Sequence, residues 1–415
     1  MASSQAVRAW LARVNAATPH RTRALVLCDA DSYLKWGVSR ALDLSAAADV
    51  EVVVVRSAVT PSRAQVRDAV AGRWPDVPLL SLDEVAARLE ADAPDVLVLA
   101  VRGPLVELVQ RTVVARLSKR PVTVSGIPGV WFPPTVRGVD FRRGCDVMVV
   151  HAHAEREALT TMVTAGTAVA LASLARAADP VPARGDGAVV FAPQALVPRT
   201  RAERARLLEG IVAAAQAHPE VPFIIKVRGE EGEAQTHAEF ASYPELAAAR
   251  PGVLPRNLVF ARGPLSDFLG GARALVTVSS TAALESIAAD VPTLILDDFG
   301  IDEQQLNLVF AASGCTGPMA RMVTLDFPRA SERWRRSHYV HEPAEDDWVD
   351  VVLARVAASA PHPAFMPEPR GLRGVARRVR LRSQALGAAD APWRRALARV
   401  IVAPALAWRA VVVRR

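Results

Sequence analysis

The chain has 415 residues, of which 51% are hydrophobic and 22% charged, enough for two ordinary domains with full cores and unlike a disordered chain. Its three cysteines, Cys28, Cys145 and Cys315, are widely spaced and form no CxxC pair; this indicates neither a disulfide framework nor a zinc site and suits a reducing compartment. The net charge of +7 is unevenly placed, because residues 366–415 hold twelve arginines against Glu368 and Asp390, a net +10, leaving −3 on the other 365 residues; a nucleic-acid enzyme would spread positive charge over a face of its folded body.

Residues 1–15 carry Arg8 and Arg13 and lack a continuous apolar core, so they read as a short amphipathic helix and not as an export signal. Strands are predicted at 24–28 and 51–55, flanking a helix over about 33–44, and again at 96–100, 121–124 and 146–150. Helices over about 82–90, 104–117 and 153–164 lie between or after them. Val-rich strands alternating with helices predict a doubly wound parallel sheet. Residues 175–187, with Pro180, Pro182, Gly185 and Gly187, read as an interdomain linker. The alternation then resumes with strand 188–192, helix 201–216, strand 222–227, helix 236–248 and strand 257–260. A strand over 274–278, a helix over 282–289 and a strand over 293–296 close the pattern, and a late helix over about 346–359 is expected to pack back on the first half. No fixed-period repeat is present. The expected fold is therefore α/β: two Rossmann-like domains facing across a cleft, residues 1–178 and 188–365, followed by a basic tail, 366–415.

In open α/β sheets, ligands bind beyond the carboxyl ends of the strands, which selects the candidate residues. Ser279, Ser280 and Thr281 follow the strand at 274–278 and open the next helix, where free N–H groups and three hydroxyls suit a phosphate. Glu285 lies at i+4 from Thr281 on the same face and is placed to accept ribose hydroxyls; the alternative is a helix cap with Glu285 solvated. Lys226 and Arg228 end the strand at 222–227 on one face, where two cations can neutralise a diphosphate; the alternative is plain surface charge. His237 reads as helix surface. Asp297 and Asp298 end the strand at 293–296, and Asp298 is expected to contact a sugar, as is Gln304 near the start of a following helix with Gln305 and Asn307. The adjacent aspartates lack an Asp-x-Asp spacing, and no metal is expected.

In the first domain, Asp29 and Asp31 end the first strand. Asp31 is the chosen catalytic base, since a carboxylate partly shielded from water suits that role; its alternative role, or that of Ser32, is to cap the helix. Gly126 and Gly129 follow the strand at 121–124 and form an acceptor loop, with Arg137, Arg142 and Arg143 nearby. His151, at the end of the strand at 146–150, is a second candidate base, and the His151-x-His153 pair lacks a third ligand for a metal.

The pattern Ser279-Ser280-Thr281, then Glu285, then Pro292 resembles the nucleotide-sugar site of GT-B glycosyltransferases, and is similar in particular to capsule-polysaccharide and CDP-glycerol-type transferases. A resemblance covering most of the chain is to an actinobacterial family of glycosyltransferases of unknown substrate. It rests on Asp29-Ala30-Asp31-Ser32-Tyr33-Leu34-Lys35-Trp36, Pro61-Ser62-Arg63-Ala64-Gln65 and Gly126-Ile127-Pro128-Gly129. The resemblance implies a nucleotide-sugar donor as co-substrate and no cofactor. It also implies that the Ser/Thr turn meets the phosphates, that Glu285 meets the ribose and that the loop at Gly263 recognises the base. Related transferases often carry Lys-x-His-Pro where this chain has Lys226-Val227-Arg228-Gly229, so no histidine role carries over.

The tail holds two basic amphipathic stretches, at about 371–386 and 392–413. Its longest uncharged run, 400–408, is far short of the roughly 20 residues that span a bilayer, so a helix lying on an anionic membrane is expected, the alternative being a helix docked on the body. Together these readings predict a metal-independent glycosyltransferase, cytoplasmic and peripheral on the inner membrane face, moving a sugar from a nucleotide donor to a glycan or lipid-linked acceptor. The alternatives on the same fold are a polyol-phosphate transferase or a sugar-nucleotide epimerase, and, without catalysis, a two-lobed sugar-binding protein.

Overall fold

The computed structural model describes residues 21–174, 187–227, 241–365, 371–398 and 400. In chain order the first sheet is built from β1 (Thr22–Cys28), α1 (Asp31–Leu44), β2 (Ala48–Val55), α2 (Arg63–Val70), β3 (Leu79–Leu80), α3 (Leu82–Ala91), β4 (Val96–Ala100), α4 (Gly103–Thr112), β5 (Val122–Gly126), α5 (Val136–Asp140), β6 (Val147–Val150), α6 (His153–Thr160) and β7 (Ala168–Leu171). The strands lie in the order β3-β2-β1-β4-β5-β6-β7, all parallel, with Cys28 level with Val54 on one side and Ala100 on the other. The continuous apolar strands are buried on both faces, as parallel strands must be when helices cover each side. Along β4, Val96, Val98 and Ala100 enter one core, while Leu97 and Leu99 enter the other.

The second sheet follows with β8 (Val189–Phe191), α7 (Arg201–Ala217), β9 (Phe223–Lys226), α8 (Tyr243–Ala249), β10 (Leu258–Ala261), α9 (Ser266–Leu269), β11 (Ala274–Thr277), α10 (Ala282–Ala288), β12 (Thr293–Leu296), β13 (Thr316–Gly317), α11 (Ala320–Val323) and α12 (Glu332–Ser337). Its order is β10-β9-β8-β11-β12-β13, again parallel. Both sheets therefore change winding direction beside their first strand, and each presents a switch-point crevice at its strand carboxyl ends.

Helix starts are written locally. Ser62 with Gln65, Ser81 with Glu84, Thr200 with Glu203 and Ser242 with Glu245 each form a reciprocal capping box, satisfying N–H groups that a helix cannot pair internally. The strands β3, β7 and β13 and the helix α2 extend the sequence reading; the first and last of these strands have two residues each, too few to show a pattern. The helix expected around Gln304 and Gln305 is not formed. Instead residues 301–306 make turns, Leu306 has φ 56°, and a short 3₁₀ segment covers Leu308–Phe310. The reason is Asn307, whose side chain donates to the carbonyls of Val278 (3.3 Å) and Gly300 (3.0 Å) and accepts from the Asp302 N–H (3.0 Å), bonds that compete with a helix. The expected N-terminal helix, most of the linker at 175–187, the start of the helix at 236–248 and the tail beyond Val400 lie outside the described residues.

After α12 the chain returns to the first domain through α13 (Trp348–Ala357) and α14 (Gly371–Leu386). On α13, Trp348 and Val352 are buried in the core beside α1 and β4, and the Trp348 indole N–H donates to Asp43 at 3.2 Å. The return expected over 346–359 is thus present and belongs to the first core. On α14, Leu381, Ala385 and Leu386 join the opposite face of the same sheet, and Arg377 pairs with Glu107 of α4 at 2.5 Å. This stretch of the tail is docked on the body, the alternative to the membrane-bound helix. Because Trp348 is 1% exposed, Trp348→Ala should cost roughly 3–5 kcal/mol, read as a lowered denaturant midpoint in equilibrium unfolding.

Candidate functional site

The turn from β11 to α10 begins with residues whose hydroxyls divide their duties. Ser279 is buried and donates to the Leu306 carbonyl at 2.6 Å, Ser280 accepts from the Ala282 N–H at 3.2 Å, and Thr281 is exposed with no side-chain cap bond. Ser279 is therefore committed to the fold rather than open to a phosphate, Ser280 acts as the local cap, and Thr281 faces the cleft. One turn on, Glu285 reaches solvent between protein walls, and the loss of surrounding water raises its carboxyl above the ordinary range while the charge of Lys226 at the end of β9 opposes the rise. The strand β8 lies between β9 and β11, so Lys226 and the turn flank the switch point from opposite sides. Arg228 and His237 lie outside the described residues.

Gly129 brings the first domain against this turn. It has φ +107°, a conformation that favours glycine, and a Cβ built on it would stand 3.5 Å from the Thr281 methyl group. The acceptor loop and the Ser/Thr turn, predicted separately, thus face each other. Gly126 plays a different part, since a Cβ there would come within 2.6 Å of the Trp36 ring and 2.8 Å of the Val149 carbonyl; it is a packing position below the loop and not a contact surface. The Gly126 carbonyl accepts from Arg142 Nε at 3.1 Å, and Arg142 also donates to Tyr33 at 3.0 Å. A buried arginine, expected from the sequence beside the loop at 126–129, accordingly ties that loop to the first turn of α1.

Asp31 lies in that first turn. Ala30, not Asp31 or Ser32, is the N-cap residue, with no side-chain cap bond, so the capping alternative does not hold. One carboxylate oxygen pairs with Lys35 at 2.8 Å, and the other is buried without a hydrogen-bond partner. Asp29 is spent on structure: it is fully buried and accepts from the Arg102 main chain at 2.9 Å and from its guanidinium at 2.8 Å. Burial pushes its carboxyl up, with Arg102 working against the shift.

His151 is buried, and both of its ring nitrogens are bonded. The indole N–H of Trp36 can only donate, and it reaches His151 Nε2 at 2.8 Å. The ring proton is then on Nδ1, which donates to the Ala172 carbonyl at 2.8 Å, and burial lowers the pKa to about 3. Asp298 is likewise taken up by the fold, accepting from the Met319 N–H at 2.7 Å with Arg206 at 3.6 Å. Gln304 is exposed on the turn that Ser279 and Asn307 fasten to β11. Gly263 has φ +128° and opens the turn before α9 beside Asp267 and Phe268. Among the described residues no three His, Cys, Asp or Glu side chains are arranged to hold a metal ion.

Two residues that sequence reasoning did not single out fix the loop. Glu155, at the start of α6, is fully buried; it accepts from the main-chain N–H of Trp131 at 2.6 Å, from that of His151 at 2.8 Å and from the Tyr339 hydroxyl. Tyr339 comes from the second half of the chain. Burial raises the Glu155 carboxyl, and burial together with Glu155 raises the Tyr339 phenol well above its usual value.

Two parallel doubly wound sheets facing across a cleft, with a helix returning from the second half to the first core, define the GT-B fold. Residues 24–355 match the family described as "Putative glycosyltransferase (DUF6716)", and the chain belongs to that family. No curated protein matches the chain. Among solved structures, it is similar to a putative UDP-N-acetylglucosamine 2-epimerase from Listeria monocytogenes, with TM-score 0.56, 10% identity, and 84% of this chain and 100% of that chain covered. It is also similar to the S. aureus MnaA–UDP complex (0.53, 10%, 81% and 96%) and to UDP-GlcNAc 2-epimerase from Methanocaldococcus jannaschii (0.50, 11%, 82% and 100%). At such identities the similarity is one of fold.

With His151 held neutral by burial and both ring nitrogens bonded, its ring proton signals should stay unchanged between about pH 5 and 8, where unperturbed histidines titrate. A proton NMR titration, with His151→Phe used to assign the signal, checks this; a midpoint within that window would return His151 to the candidate bases.

Proposed function

We propose that the protein transfers a sugar from a nucleotide-activated donor to a glycan or lipid-linked acceptor. The observation that carries the reading is the approach of the Gly129 loop to Thr281 across the cleft, which sets an acceptor-side loop against a turn able to hold phosphate. In this reading, the donor diphosphate lies against Thr281, Ser280 and the N–H groups opening α10, with Lys226 and Arg228 balancing its charge. Glu285 takes the ribose hydroxyls, the Gly263 turn the base, and Gln304 the sugar. Asp31 accepts the acceptor hydroxyl's proton as that hydroxyl's oxygen bonds to the anomeric carbon. The nucleoside diphosphate departs with the electrons of the broken bond, its charge offset by the cations.

A second reading, nucleotide-sugar epimerisation, draws support from the fold shared with the Listeria and Methanocaldococcus proteins. It needs the donor site but no acceptor, so conversion of a nucleotide sugar with no acceptor added favours it, and acceptor-dependent release of nucleoside diphosphate favours transfer. The site for the reaction is proposed to lie at the cytoplasmic face of a membrane, held there by the basic C-terminal region. Its +10 charge supports this reading, and no helix among the described residues is long and apolar enough to cross a bilayer.

Glu285→Ala should weaken binding of nucleoside diphosphates, UDP first among them, by roughly 1–3 kcal/mol, measured by calorimetry or by ligand-induced stabilisation. Since the Glu285 carboxyl sits above its ordinary range, acidification should protonate it early and remove the ribose acceptor. Wild-type affinity should thus fall as pH drops through the upper carboxylate range, and the variant should lose that dependence.

Asp31→Asn keeps the shape but removes the proton acceptor, so turnover should drop on the order of 10² or more with nucleotide affinity nearly intact. Steady-state kinetics beside equilibrium binding of UDP separates the two quantities, and undiminished turnover would assign the base elsewhere.

A further inference from the structure

The basic C-terminal region divides at Asp390. Before it, α14 is part of the body, with Leu381, Ala385 and Leu386 buried and Arg382 bonded to Asp390 at 3.0 Å. Beyond it, residues 392–398 and Val400 are helical, and this helix turns the opposite way from an ordinary surface helix. Arg394 pairs with the exposed Asp83 at 3.1 Å, Arg395 is half-buried, and Ala398 is buried. The large apolar side chains point out, Trp393 being 64% exposed, Leu397 46% and Val400 73%. Their spacing of i, i+4 and i+7 makes one stripe. A soluble helix normally turns such a stripe inward, because each apolar group left in water forfeits the gain of burial.

We infer that the Trp393, Leu397 and Val400 stripe is a docking face for an anionic lipid surface, with α14 serving as the fixed platform and not as a membrane helix. The inference rests on the membrane reading of the basic region and says which face makes the contact. Charge names the occupant: residues 391–415 contain six arginines and no acid, and Arg394 lies over the Trp393 ring at 4.9 Å. An exposed indole suits the boundary where lipid phosphate meets acyl chain, with the apolar groups inserted and the arginine-rich sequence drawn to the phosphates. A second copy of the chain would instead bring two acid-free arginine clusters together, a repulsive arrangement.

The test uses the full-length protein, cosedimented with vesicles of phosphatidylcholine alone and of phosphatidylcholine mixed with phosphatidylglycerol. Wild type should bind the mixed vesicles in a salt-sensitive way and the neutral ones far more weakly. The combined exposed-site substitutions Trp393→Ser, Leu397→Ser and Val400→Ser should weaken binding roughly tenfold or more while leaving the melting temperature and UDP affinity as in wild type. Undiminished vesicle binding by that variant overturns the stripe assignment and leaves the membrane reading standing. Absence of binding by wild type overturns both, without touching the sugar-transfer reading. A wild-type dimer that the variant converts to monomer in analytical ultracentrifugation assigns the stripe to a second copy and overturns the lipid assignment.

Discussion

A carboxylate sealed from water and surrounded by donors, that of Glu155, joins the two halves of the cleft. Burying a charge of this kind is unfavourable unless donors converge on it, and here they come from three places: the loop after β5 at Trp131, the strand end at His151 and Tyr339 of the second half. Burial pushes its pKa up, and the converging donors oppose the rise. Satisfying Glu155 therefore fixes where the loop stands relative to the second domain, and the approach of Gly129 to Thr281 depends on it. Phe132, the residue after Trp131, packs edge-on against His338 with 5.4 Å between ring centroids, so the same seam has an apolar component beside the polar one.

Below that seam, the candidate site is supported by residues that give up their own reactivity. Ser279 and Asn307 fasten the turn carrying Gln304, Asp298 orients the start of α11, and His151 bridges Trp36 to the main chain of residue 172. Thr281 and Glu285 stay exposed at the cleft, and Asp31 keeps one buried oxygen without a hydrogen-bond partner. This division of labour is expected where a few polar groups must be held in position by neighbours with fully satisfied hydrogen bonds.

The C-terminal region is connected to the same strand ends. Arg102 clamps Asp29 at the end of β1 with its Nε and main chain, and its terminal nitrogen donates to the Ala385 carbonyl on α14 at 2.9 Å. The docked helix is thus bonded, through one arginine, to the segment that leads into Asp31. Its cations Arg377 and Arg382 meet acids of the body and of the chain that follows it, which is how a strongly basic helix rests on a domain that carries little net charge.

The sequence determined the α/β fold class, the order of most strands and helices and the return of the chain near residue 350. Continuous apolar runs and capping pairs are local signals that survive without neighbours. It also located the turn at residues 279–281 and the loop at 126–129, since strand ends followed by Ser/Thr or Gly-Pro groups can be read one segment at a time. It could not tell which polar residues at those ends were free. Ser279, Asp298 and His151 looked as available as Thr281 and Asp31, because a side chain's availability depends on donors and acceptors far away in the chain: Leu306, Met319, Trp36 and Ala172. Glu155 gave no sequence signal, as it works by joining segments that only the folded chain brings together. The same limit applied to the arginine-rich region. Its composition permitted either a membrane helix or a docked one, and the matching of Leu381 and Arg377 to the face of α4 decided that α14 is docked while the apolar stripe after Asp390 stays open.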